Sequence, residues 1–212
     1  MKKNILCAFD LETIANPDMV DCLPEVKPSG TLKDPVKIQA DIEKKQAKQY
    51  ADMGLNPHTN LICCASFQDV YTGEKQSFML DEAEEGVLLC DIWEHLEPFQ
   101  LFTSFNGMSF DIECLKFHSM VAGVKMSKII SQEKYRQGNH VDLRMVLSRN
   151  NDYAKGNQGY FCKLLFGEEK EIQGSEIQGL WDAGKFDKIK KHCEDDVEQV
   201  CKLYKKLEGY YI

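Results

Sequence analysis

The chain has 212 residues, 43% of them hydrophobic and 28% charged, which suits one domain with a substantial core and makes a second full domain unexpected. Its formal net charge of −8 excludes attachment to nucleic acid through a general basic coat, although clustered carboxylates can recruit metal ions that hold a phosphate. The nine cysteines form no C-x-x-C pair, and the N-terminal MKKNILCAFD is neither a signal peptide nor a membrane span, so a reduced, cytoplasmic protein without membrane contact is expected.

In chain order, NILCAFDLE (residues 4–12) reads as a buried central strand whose alternation puts Asp10 and Glu12 on one face. A polar, proline-rich stretch follows, with a helix predicted over 35–53. Its apolar stripe is thin, running through Ile38, Ile42 and Tyr50, and suits an insertion or lid at about 24–60 better than a core element. LICCASFQ (61–68) and KQSFMLD (75–81) flank a turn at Gly73 and predict a β-hairpin. Leu88, Leu89, Ile92, Trp93 and Leu96 recur at helical spacing over 82–96. FQLFTSF (99–105) reads as another buried strand, NGMS as a tight loop, and 110–123 as a helix ending at a glycine.

Residues 125–157 are mixed and predicted to lie at the surface, with a short helix around 142–148; in HVDL, His140 and Asp142 are expected to be structural. QGYFCKLLFG gives a short helix stopped by Gly167. The last helix, over 185–207, carries an apolar stripe through Ile189, Val197, Val200, Cys201, Tyr204 and Leu207. A strand meander followed by alternating helices and a strand is an α/β pattern with a mixed sheet.

Three acidic positions stand out. In FDLET (9–13), carboxylates at i and i+2 of a buried strand are costly unless a cation neutralises them; an edge strand with an acidic solvent face is the bland alternative. In FNGMSFD (105–111), Asp111 opens a helix at a strand end, where it either caps that helix or joins a site of the kind open α/β sheets build there. Asn106 beside it offers an amide to a sugar or phosphate. In KKHCEDDVEQV (190–200), helical spacing stacks His192 on Asp196 and turns Glu194 and Asp195 elsewhere; a solvated charge run is the alternative. Together Asp10, Glu12, Asp111 and Asp196 suit a pair of hard divalent metals roughly 4 Å apart.

FDLET, FNGMSFD and HCEDDV, in this order on a strand, a strand-to-helix junction and a C-terminal helix, resemble the three exonuclease motifs of the DEDD superfamily of 3′-to-5′ exonucleases. The similarity is closest to the branch related to the exonuclease domain of family-B DNA polymerases, which VDLRMVL and GSEIQGLWDAGKFDKIKKHCEDDV also resemble. It spans about residues 4–207, with 24–60 less diagnostic.

The resemblance implies an RNase H-like α/β fold with a mixed five-stranded sheet flanked by helices. It implies metal ligation by Asp10, Glu12, Asp111 and Asp196, with two Mg²⁺ or Mn²⁺ as cofactors. Thr13 and Asn106 are implied to contact the terminal nucleotide, and Phe110 to pack close to it. The expected activity is 3′-to-5′ hydrolysis of terminal phosphodiester bonds in single-stranded or 3′-ended DNA. An exoribonuclease of the same fold and a catalytically impaired nucleic-acid-binding or regulatory module are the alternatives.

One residue departs from the pattern. The superfamily places a tyrosine four residues before the last acid, or a histidine five before it; here His192 occupies the tyrosine spacing. A histidine there is expected to position or deprotonate the attacking water. Lys185, Lys188, Lys190 and Lys191 either steer a phosphate backbone or form a solvated helix face, and Tyr50 and Lys44 give the insertion the means to clamp a single strand.

Overall fold

The computed structural model describes residues 6–80, 84–135, 138–151, 154–168 and 172–212. The expected strand start at Asn4 and Ile5, the hairpin end at Asp81 and the helix start at Glu82 and Ala83 lie outside the described residues.

The first strand, β1 (Leu6–Ala15), is the centre of the sheet. It pairs antiparallel with β2 (Asn60–Asp69), which pairs antiparallel with β3 (Lys75–Met79). On its other side it runs parallel to β4 (Leu101–Ser104), and β4 runs parallel to β5 (His140–Asp142). The order β3-β2-β1-β4-β5 is the mixed five-stranded sheet of the expected RNase H-like arrangement. Among the described residues no helix is long and apolar enough to cross a membrane.

Both faces of β1 are covered, so its alternation sorts side chains between two cores. Cys7, Phe9 and Leu11 face α2 (Glu85–Leu96) and α3 (Asp111–Ala122), packing with Leu89, Ile92, Phe102 and Leu115. Leu6 and Ala8 face the other way, onto Val197, Val200 and Leu203 of α7 (Phe186–Leu207). Asp10 and Glu12 continue this second row, so the strand's own periodicity aims them at α7. The 22-residue α7 crosses the sheet with Ile189, Cys193, Val197, Val200 and Leu203 inward, next to a buried row of His192, Asp196 and Gln199.

The insertion behaves as its thin stripe implies. In α1 (Pro35–Met53) only Met53, the last residue, is buried, while Val36, Lys44 and Tyr50 are exposed. Its upstream coil is tied to it by Ser29, which donates to Asp41, by Lys45, which reaches the Lys27 carbonyl, and by Gln49, which reaches that of Pro24. The base is fixed on α3: His118 Nε2 lies 3.0 Å from the Pro57 carbonyl and 2.8 Å from Asn60 Oδ1, with Nδ1 against Glu85.

Residues 125–157 are less superficial than their composition suggests. Ile130, His140, Asp142, Leu143 and Met145 are buried, because β5 closes the sheet edge and α4 (Leu143–Ser148) starts directly from it. Two further helices, α5 (Gln158–Phe166) and α6 (Ile177–Asp182), pack against α7.

Candidate active site

Four of the expected residues meet where β1 crosses α7. Glu12 and Asp196 are buried and Asp10 is half-buried. His192, also buried, puts Nε2 at 3.4 Å from Glu12 Oε1 and 3.7 Å from Asp196 Oδ2. Donor atoms of Glu12, His192 and Asp196 lie within 4.8 Å of one another, and so do those of Asp10, Glu12 and Cys193. Glu12 thus belongs to both groups. Glu194 and Asp195 take no part: Glu194 accepts from Ser77, and Asp195 pairs with Lys191 on the outer face.

Asp111 enters from the opposite side. Its carboxylate is buried, and Oδ1 accepts the main-chain N–H of Leu11 at 3.0 Å, so the residue between Asp10 and Glu12 holds it in place. Burial, followed by the charges of Asp142 and Asp196, pushes its pKa up to about 7, against the lowering effect of the Leu11 N–H. A carboxylate so disfavoured as an anion is one that a divalent cation would stabilise. The donors are mostly hard carboxylate oxygens, so the residues present fit Mg²⁺ or Mn²⁺. Cys193 is a poor ligand despite its position, since burial drives its thiol pKa well above the ordinary value.

The approach to Asp111 depends on a close backbone contact. A Cβ on Gly107 would overlap Ser104 Oγ and sit 2.8 Å from Ser104 Cβ and 3.3 Å from Asp111 Oδ2, so the loop between β4 and α3 closes only over glycine. Asn106 adopts a left-handed φ of 70°. Asp142 stabilises this turn: its carboxylate accepts from the N–H groups of Asn106 and Met108 at 3.0 Å while also capping α4 through Arg144 and Met145. His140, beside it, hydrogen-bonds Ser104 at 2.9 Å, and burial lowers its pKa to about 4, which keeps it neutral near pH 7.

A cleft of about 510 Å³ opens beside this cluster, lined by Asp10, Asn106, Arg144, Asn157, Gln158 and Asp196 among others. Arg144 donates from Nη1 to Asn106 Oδ1 at 3.1 Å, and Gln158 donates to the Asp196 carbonyl at 2.9 Å. Asp142, Arg144 and Gln158 were not among the expected site residues. Asp142 of HVDL is structural as expected, capping α4, and it also organises the loop. The other two expected positions sit at the periphery. Thr13 Oγ1 donates to the Gly54 carbonyl at 2.6 Å, linking β1 to the end of α1, and Phe110 packs against the core on the α2–α3 side.

Residues 58–210 match the family described as a predicted 3′-5′ exonuclease related to the exonuclease domain of PolB. The chain belongs to this family. The matched span carries Asn106, Phe110, Asp111, His192 and Asp196 and begins after Asp10, Glu12 and Thr13. Among solved structures, the chain is similar to the family B DNA polymerase from the hyperthermophilic archaeon Pyrobaculum calidifontis, with a TM-score of 0.65 and 14% identity. That similarity covers 95% of this chain and 24% of the polymerase chain, so this chain spans about a quarter of the larger protein's length. At this identity the likeness concerns the fold. No curated protein sequence matches.

Proposed function

We propose that the protein is a metal-dependent 3′-to-5′ exonuclease that hydrolyses the terminal phosphodiester bond of single-stranded or 3′-ended DNA. The observation that carries this reading is the meeting of Asp10, Glu12, His192 and Asp196 beside a polar cleft, with Asp111 held against Leu11. Membership of the exonuclease family supports it.

In this reading Asp10, Glu12, Asp111 and Asp196 hold two Mg²⁺ or Mn²⁺ ions. A bound metal pair supplies Lewis-acid charge for the phosphoryl oxygens and eases deprotonation of water. His192 Nε2, poised between Glu12 and Asp196, positions the attacking water and takes its proton. Asn106 contacts the terminal nucleotide from the cleft wall, with Phe110 behind it. The hydroxyl of Thr13 is committed to Gly54, so Thr13 serves chiefly to fix α1 beside the site.

The test is a side-by-side digestion of 5′-labelled single-stranded DNA and RNA of one sequence in Mg²⁺ or Mn²⁺. A ladder shortened one nucleotide at a time on DNA supports the reading. A ladder on RNA alone reassigns the substrate, and no shortening of either contradicts the activity.

A further inference from the structure

We propose that Arg144 is a phosphate-binding residue that fixes the register of the strand in the cleft. This rests on the reading of the cleft as a nucleic-acid site and adds to it a residue outside the proposed metal ligands and base. Its place is set by the fold. Asp142 ends β5 and caps α4, accepting from the N–H groups of Arg144 and Met145, so the side chain at 144 leaves the first turn of α4 toward the β4–α3 loop. There Nη1 donates to Asn106 Oδ1 at 3.1 Å, and the half-buried residue lines the same cleft as Asp10 and Asp196.

Three features converge on a phosphate. Among the described residues lining this cleft Arg144 is the one cation; its neighbours there include the carboxylates of Asp10 and Asp196 and neutral side chains such as Asn106, Asn157 and Gln173. A strand entering a cleft walled by Asp10 and Asp196 brings its own negative charge, and a fixed positive group is needed away from the metal positions to draw the backbone in. A guanidinium has five donors in a planar fork; the bond to Asn106 orients the group, and its fork matches two non-bridging phosphate oxygens in a way an ammonium does not. Asp142 accepts from the main-chain N–H groups of both Asn106 and Arg144, so one carboxylate sets the positions of the two residues.

The experiment is equilibrium binding of a 3′-fluorescent single-stranded DNA in Ca²⁺, with a single neutral methylphosphonate placed in turn at each of the last few linkages. The wild-type protein is expected to lose roughly ten- to hundredfold in affinity at one linkage. Arg144→Met is expected to bind the all-phosphate strand more weakly, to show no further loss at that linkage, and to flatten the slope of log K against log salt by roughly 0.7. Arg144→Lys should retain the slope and recover only part of the affinity; it serves as the test if the methionine variant does not fold. An unchanged methylphosphonate profile in Arg144→Met, or affinity within twofold of wild type, overturns the proposal and leaves the exonuclease reading standing. Failure of the wild type to bind any strand overturns both.

Discussion

The main-chain N–H of Leu11 donates to Asp111 Oδ1 at 3.0 Å, so the peptide between Asp10 and Glu12 grips the acid that opens α3. One strand therefore places three carboxylates: two by alternation and the third through its backbone.

The first prediction concerns that bond. Asp111 has a pKa raised to about 7, so in the metal-free protein its contribution favours the folded state at low pH and is lost as pH rises through about 7. In EDTA, Asp111→Asn should therefore be more stable than wild type at pH 8, by an amount on the order of a few kcal/mol, or roughly 5–10 °C in Tm. Added Mg²⁺ or Mn²⁺ should raise the wild-type Tm more at pH 8 than at pH 5.5 and leave the variant nearly unmoved. Thermal melts at the two pH values decide it; a variant less stable than wild type at pH 8 in EDTA would count against a disfavoured carboxylate.

His192 is predicted to act on the chemical step. His192→Ala should lower kcat by roughly 10²- to 10⁴-fold with a smaller change in KM. His192→Tyr, which restores the residue type implied at this spacing, should recover part of the rate. Near-parental turnover in His192→Ala, alongside an inactive Asp196→Ala, would make His192 a structural neighbour of the site.

Gly107 is predicted to tolerate no side chain. The Cβ of Gly107→Ala would overlap Ser104, and the strain should cost about 1–3 kcal/mol and displace Asp111, lowering both Tm and activity. Pairing it with Ser104→Gly removes the obstructing atoms. Recovery in the double variant, measured by melts and turnover together, would confirm a local steric cause; additive losses would not.

The sequence was most informative where its elements are long. The alternation in β1 and the helical stripe of α7 each run over several periods, and their intersection puts Asp10, Glu12, His192 and Asp196 together as the spacing implied. It was least informative for β5, whose three residues are too few to display a period, and the surrounding polar composition concealed a buried edge. The bonds that Asn106 and Met108 give to Asp142 and that Arg144 gives to Asn106 are not legible in the sequence, because they run through main-chain N–H groups and a neighbouring amide, contacts that no pattern of side-chain types announces. The contact of the Thr13 hydroxyl is hidden for a related reason: its partner is a carbonyl at the end of the insertion, distant in sequence.

The insertion offers a prediction of its own. Lys44 and Tyr50 are exposed on α1, so Lys44→Ala with Tyr50→Ala should leave the melt unchanged and weaken single-strand binding several-fold if α1 clamps the strand. A deletion of 24–56 is a harsher probe, because it takes Met53, buried at the foot of α1, and Gly54, which holds Thr13. Unchanged affinity in the folded double variant would remove α1 from the substrate path.

The central claim is that these carboxylates form one hydrolytic centre working from the 3′ end. The measurement that tests it most directly is the time course of products from 5′-labelled single-stranded DNA in Mg²⁺, run for the wild type and for Asp111→Asn. Stepwise shortening from the 3′ end with release of nucleoside monophosphates by the wild type, abolished in a folded Asp111→Asn, is the predicted result; internal cuts, or shortening at an undiminished rate in the variant, would contradict it.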